Sequence, residues 1–113
     1  MKKFMALYFV PRATLDHMMA TATPEQKKAG MEGWMKWIKA NEKALVDMGG
    51  PLGKTKRVTA EGASDTRNEI TGYTLVQAES AEAAAKLYDS SHPHLQLPGA
   101  FVELIECMPI PGR

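Results

Sequence analysis

The stretch that most narrows the fold is KFMALYFV at positions 3–10. Read with a period of two, it puts Phe4, Ala6, Tyr8 and Val10 on one side and Met5, Leu7 and Phe9 on the other. Apolar side chains on both sides of a strand call for cover on both sides. Pro11 ends the run, and the rest of the chain has to supply the cover. Two lysines ahead of an apolar run give a faint likeness to an export signal. The run is only about eight residues long, however, and no small-residue cleavage site follows it. Nowhere does the sequence approach the roughly 20 apolar residues needed to cross a bilayer, so no membrane partner is expected.

Thr23-Pro24-Glu25-Gln26 carries the signals of a helix start: a capping hydroxyl, proline at the first helical position, an early acid, and glutamine at the capping-box position. Met31, Trp34, Met35, Ile38 and Leu45 then recur at helical spacing, with Lys27, Lys28, Lys36, Lys39 and Lys43 mostly off that stripe. The pattern predicts one long helix stopped by Gly49-Gly50-Pro51. Residues 13–22 predict no more than a short helical turn around Asp16 to Met19. Residues 51–60 read as an edge strand protected by lysines, residues 61–68 as a loop, and residues 69–78 as a further strand in which Gly72 marks a bulge or a close approach. Ser80 caps a second helix over AEAAAKLYDS, and AFVELIECM forms the last strand before Pro109.

The resulting order, strand-helix-strand-strand-helix-strand, is the split βαβ arrangement of a ferredoxin-like α+β domain. It predicts a four-stranded antiparallel sheet with two helices on one face, within a single domain spanning residues 1–113. Two helices leave the other face of the sheet bare, and a second copy packed sheet against sheet is the most economical cover. A homodimer is therefore expected, with a partly enclosed space between the sheets. With 14 basic against 13 acidic side chains the net charge is only +1. No basic cluster interleaved with aromatics appears, which argues against nucleic acid as a partner. The single cysteine, Cys107, excludes an intrachain disulfide and fits a reducing, cytoplasmic location; set in an apolar strand, it reads as an inert thiol.

Several motifs together resemble the YCII-related family and its DGPF-type branch. They are GWMKWI, VDMGGPLG at 46–53, ITGYTLVQAES at 70–80, and the ending HPHLQLPGAFVELIECMPIPG. The resemblance covers nearly the whole chain and implies a dimeric α/β barrel built on the ferredoxin-like domain. In the family, a first-helix histidine and an aspartate ahead of a proline are proposed as an acid/base pair. Those positions fall here near Gly33 or Trp34 and at Ser91-His92, so neither partner is retained. The Asp-Gly-Pro-Phe signature is replaced by Ser64-Asp65-Thr66-Arg67, in which only the aspartate survives.

SSHPHLQLPG at 90–99 carries the densest chemistry. Proline holds His92 out of helical geometry, and in an extended segment His92 and His94 can face one space. Either ring then suits a general base beside Asp89 or Asp65, while the plainer alternative is a protonated His92 capping the end of the preceding helix. A zinc site would need a third ligand from Asp16, His17, Asp65, Asp89 or Cys107. None has diagnostic spacing, so no metal is expected. His17 reads as a surface residue. Trp34 and Trp37 read first as tryptophans packed on a sheet. Asp65, Arg67 and Glu69 form an alternating charged patch that reads either as a solvated hairpin or as one wall of a site.

The candidate catalytic residues are thus His92, His94 and Asp65, and the candidate ligand contacts are Tyr8, Trp34, Arg67 and Asp89. Nucleophile elbows and phosphate loops are missing. The function expected is small-molecule binding or an accessory role, without a cofactor, in a space between sheets. Acid/base elimination or isomerisation at His92 or His94 is the alternative, and a cofactor-free monooxygenase, suggested by the fold alone, is the third reading.

Overall fold

A computed structural model describes residues 1–112. The first strand, β1 (Lys2–Phe9), lies inside a four-stranded sheet, flanked by β5 (Ile70–Ala78) and β6 (Phe101–Glu106), with β2 (Leu45–Pro51) outside β5. All three pairings are antiparallel. Counting only strands of this sheet, the spatial order is second, third, first, fourth, which is the ferredoxin-like topology expected from the sequence. The helices lie on one face.

The register shows why β1 reads as apolar on both sides. Phe4 stands opposite Val76, and Ala6 opposite Thr74. Together with Tyr8, Val10 and Ala78 these residues are buried under the helices, and Ala84 joins Phe4, Val76 and Ala78 in the core. Burying a side chain such as Phe4 or Val76 is worth about 1.5–3 kcal/mol. Met5, Leu7 and Phe9 point the other way. There they line up with Leu75, Tyr73, Ile105 and Phe101. This second face is apolar and only half-covered, with Ile105 49% exposed and Phe101 44% exposed while stacking on Phe9 at 4.8 Å.

Helix α2 (Pro24–Ala40) starts where the capping box predicts. Thr23 Oγ1 accepts from the N–H of Gln26 at 3.1 Å, and Gln26 Oε1 accepts from the N–H of Thr23 at 2.9 Å. It ends at Ala40, well ahead of the Gly49-Gly50-Pro51 signal. Asn41 caps it, and its side chain donates to the carbonyl of Trp37 at 2.9 Å. Leu45 and Gly49-Gly50-Pro51 belong instead to β2, whose pairing with β5 is interrupted by irregularities on either side of Asp47. Gly49 has φ of 63°, and a β-carbon there would lie 1.9 Å from the carbonyl oxygen of Tyr73. Its glycine is demanded by a strand irregularity, not by a helix end.

Residues 12–21 form a full helix, α1 (Arg12–Thr21), where only a turn was expected. No side chain caps it and none of its residues is buried, so neither a stop signal nor an apolar stripe announces it. Polar ties hold it instead, among them Thr14 Oγ1 donating to the carbonyl of Pro98 at 3.0 Å. The lysine-bearing segment is not an edge of the main sheet. It forms β3 (Thr55–Thr59), paired only with β4 (Gly62–Thr66), so most of the predicted loop at 61–68 is a strand of a separate hairpin.

Ser80 caps α3 (Ala81–Ala85) through the N–H of Ala83 at 3.1 Å, though this helix is half the predicted length. Beyond it, residues 93–96 make one 3-10 turn. The final strand stops at Glu106 and leaves Cys107 exposed, not sheltered as an inert thiol; the backbone N–H of Cys107 still donates to the carbonyl of Lys3 at 2.9 Å.

Candidate functional site

His92 opens the 3-10 turn. Pro93 holds it extended, and its Nδ1 accepts the backbone N–H of His94 at 3.1 Å. It therefore caps the start of this turn and not the end of α3. The accepted hydrogen bond also fixes the tautomer, since in the neutral ring the proton must sit on Nε2. That nitrogen is buried and has no hydrogen-bond partner. An unsatisfied donor of this kind costs on the order of 1–3 kcal/mol.

Four aromatic rings surround the imidazole. Trp34 meets it edge to face at 4.7 Å and Trp37 at 4.8 Å, while Tyr88 lies at 5.4 Å and Tyr8 stacks at 5.8 Å. Burial pushes the His92 pKa down to about 4; the neighbouring His94 pushes the same way, and the Asp89 charge opposes them. His92 is thus a neutral ring at pH 7, and the protonated cap envisaged from sequence is excluded.

His94, also buried, packs on Tyr8 at 5.0 Å. Its Nε2 lies 2.9 Å from the carbonyl of Phe9 and 3.1 Å from that of Phe101. Only an N–H can satisfy two carbonyl oxygens, so Nε2 is the donor and clamps the end of β1 to the start of β6. Burial lowers the pKa of His94 and the two carbonyls pull against that shift.

Below the rings runs a chain of three hydroxyls. Tyr8 Oη is 2.9 Å from Thr74 Oγ1, which is 2.6 Å from Tyr88 Oη. Burial raises the pKa of both tyrosines. Sequence reasoning missed Thr74 and Tyr88 as members of this group. Thr74 lies in the strand predicted over residues 69–78 and Tyr88 in the predicted second helix, but neither local pattern carries a signal that joins the two hydroxyls.

Helix α2 closes the cluster from outside. Trp37 Nε1 donates to the carbonyl of Leu87 at 2.8 Å, and Gly33 sits against Pro93, where a β-carbon would come within 3.1 Å. Trp34 meets Tyr8 at 5.0 Å, so the tryptophans do pack toward the sheet, but through Tyr8 and the histidine turn. No residue of α2 is buried, and Met31 and Met35 face outward.

The structure therefore brings together His92, His94, Tyr8 and Trp34. It does so on the helix-covered side of the sheet, because Tyr8 and Thr74 share the face of Phe4 and Val76. The space expected between two sheets is on the opposite side. The remaining candidates lie apart. Asp65 is on the exposed β3–β4 hairpin, paired with Lys56 at 2.5 Å. Arg67 pairs with Asp16 at 2.5 Å, a contact that lowers the pKa of Asp16 and raises that of Arg67.

Asp65 and Arg67 thus face different partners and do not form one wall. Glu69 accepts the backbone N–H of Arg12 at 3.0 Å. The Asp89 carboxylate accepts from the backbone and hydroxyl of Ser91, which lowers its pKa, and it makes no hydrogen bond to the His92 ring; the Asp89 carbonyl accepts the backbone N–H of His92 at 3.0 Å. His17 is exposed on α1. Among the described residues, no three His, Cys, Asp or Glu side chains converge as metal ligands, and no helix is long and apolar enough to cross a membrane. Two surface depressions, lined by residues 52–56 with Asn68 and Ile70 and by residues 39–44, share no residue with the cluster.

Fold and site together define an α+β protein of ferredoxin-like topology with a buried aromatic and histidine cluster between sheet and helices. No protein-family model matches the chain, and no curated protein matches it. One solved structure similar to it is 5-chloro-2-hydroxyhydroquinone dehydrochlorinase from Burkholderia phenoliruptrix, in complex with 2,5-dihydroxybenzoquinone. The likeness covers 89% of this chain and 90% of that chain, with a TM-score of 0.48 and 12% sequence identity.

Proposed function

We propose that the chain is a homodimeric small-molecule-binding protein of the YCII-related, DGPF-type group, working in the cytoplasm and taking its ligand into the cluster beneath α2. The observation that carries the binding reading is His92 Nε2, a buried N–H without an acceptor inside a cage of four aromatic rings. Aromatic walls with a small number of placed polar groups are the ordinary make-up of a ligand site. The half-covered apolar face of the sheet supports the dimer, because a second copy would shield Met5, Leu7, Phe9, Phe101 and Ile105. The two faces then have separate tasks, assembly on one and binding on the other.

Proton abstraction is the weaker reading. A base works best with a pKa near the working pH, whereas His92 is held near 4, with its Nδ1 lone pair already engaged. His94 Nε2 is committed as a donor to two carbonyls, and Asp65 lies on the exposed hairpin.

The chain's two tryptophans both belong to the cluster, so all of its tryptophan fluorescence reports on the site. Saturable quenching by small neutral aromatic compounds is the expected result. Quenching that only grows linearly with concentration would remove the binding reading. Light scattering at low micromolar concentration is expected to give twice the chain mass, and a stable monomer would remove the dimer.

A further inference from the structure

The open face of the sheet carries a carboxylate among its apolar side chains. Phe101, Glu103 and Ile105 of β6 stand opposite Phe9, Leu7 and Met5 of β1, so Glu103 is flanked by apolar neighbours along its strand and across it. Leu7 is in turn opposite Tyr73, and Tyr73 is opposite Gly50 of β2. One row of the sheet thus runs from Gly50 at one edge to Glu103 at the other. β6 also carries Glu106 and has no lysine or arginine. The cations gather at the opposite edge. Leu52, Gly53 and Lys54 follow β2 directly, and with Thr55, Lys56, Asn68 and Ile70 they line a depression of about 300 Å³. Ile70 is paired with Phe9, so this depression borders the open face. Lys56 is held by Asp65 at 2.5 Å, whereas neither Lys54 nor Glu103 makes an ion pair among the described residues.

Sheets packed face to face keep their strand directions within about 30° of each other, so a two-fold axis between two copies runs either across the strands or along them. An axis across the strands lays β6 on the partner's β6. Glu103 is then covered by apolar side chains, with the second Glu103 nearby and no cation on either strand, and both effects cost free energy. An axis along the strands exchanges the ends of each row. Glu103 then lies over the partner's Gly50, where the chain leads on to the unpaired Lys54. Lys3, the cation next to Met5 on the same strand face, comes instead over the partner's Gln77.

Resting on the dimer reading above, we infer that the two copies pack with their two-fold axis along the strands, β6 of each over β2 of the other, and that Glu103 of each copy pairs with Lys54 at the mouth of the other's depression. The contact is made twice, and each depression gains a wall from the second chain. Opposite charges placed in this way fix the register of a face whose apolar contacts alone would not.

The test is an exchange of charges, read as the dimer dissociation constant from light scattering over a dilution series of the full-length protein. Glu103→Lys and Lys54→Glu each set like charges together at both contacts, and each is expected to weaken the dimer at least about tenfold. The double variant, Glu103→Lys with Lys54→Glu, restores opposite charges and is expected to recover most of that loss. Lys3→Glu reverses a charge on the same face away from the pair and should change the constant less than about threefold. All three side chains are exposed in the single chain, so the variants keep the fold.

A double variant no tighter than the single ones, either single variant dimerising as tightly as the unaltered chain, or a loss in Lys3→Glu as large as in Lys54→Glu overturns the inference and leaves the dimer reading standing. An unaltered chain that stays monomeric throughout the series removes that reading and the inference with it.

Discussion

Acidification from pH 7 to pH 5 tests whether His92 is buried as a neutral ring. Its folded pKa of about 4 lies below the ordinary 6.5, chiefly because burial penalises the charged form. Below pH 6.5 the unfolded chain takes up a proton that the folded chain refuses until about pH 4. Stability is therefore undiminished above about pH 7 and falls as the pH drops through 6.5 toward 4. The gap corresponds to about 3 kcal/mol in full, of which roughly 2 kcal/mol is lost by pH 5. His94, shifted in the same direction, adds to the fall. Asp16 and Asp89, held below their ordinary 3.8, lose their contribution only at lower pH and leave this window clear.

The assay is urea unfolding followed by tryptophan fluorescence at several pH values. One protein concentration is used throughout, because dimerisation would otherwise shift the midpoint. His92→Phe serves as the reference and should lose most of the slope between pH 7 and pH 5. An identical slope in the variant and the unaltered protein would refute the neutral buried imidazole.

Thr74→Val removes the hydroxyl linking Tyr8 to Tyr88 and strands the buried phenol of Tyr8 and the half-buried one of Tyr88. A loss of about 1–3 kcal/mol is expected in the same unfolding assay, and an unchanged midpoint would mean the hydroxyls are satisfied without Thr74. Asp65→Ala removes only an ion pair in which Lys56 and Asp65 are 68% and 84% exposed. It should change stability by less than about 0.5 kcal/mol and leave ligand quenching of tryptophan untouched; a large effect on quenching would return Asp65 to the site.

The parts of the fold legible from sequence are those in which one local pattern acts alone. Two-sided apolarity placed β1 inside the sheet, and the reciprocal capping groups of Thr23 and Gln26 placed the start of α2. The end of α2 was hidden because Leu45 continues the helical spacing of Ile38 while belonging to β2, and because Asn41 is a weaker stop signal than two glycines and a proline. The β3–β4 hairpin was hidden for a related reason. Its side chains are nearly all exposed, so no buried face imprints a period of two.

In the site, the spacing of His92 and His94 pointed to the right segment, yet their partners come from β1, β5, α2 and the residues after α3. Which face of the sheet they share depends on strand register, and that is set by pairings distant in the chain. Asp65 and Arg67, two residues apart on an extended stretch, suggested one wall. Tertiary contacts turn one to Lys56 and the other to Asp16.

The exposed thiol of Cys107 has a practical consequence. It is the chain's sole cysteine, and its backbone is anchored to Lys3 in β1, so a nitroxide attached there labels one defined place beside the sheet. In an assembly with two-fold symmetry, every labelled pair would then report the same single separation. Pulsed electron resonance would read that separation as one narrow distribution, a ruler across the interface that needs no further substitution.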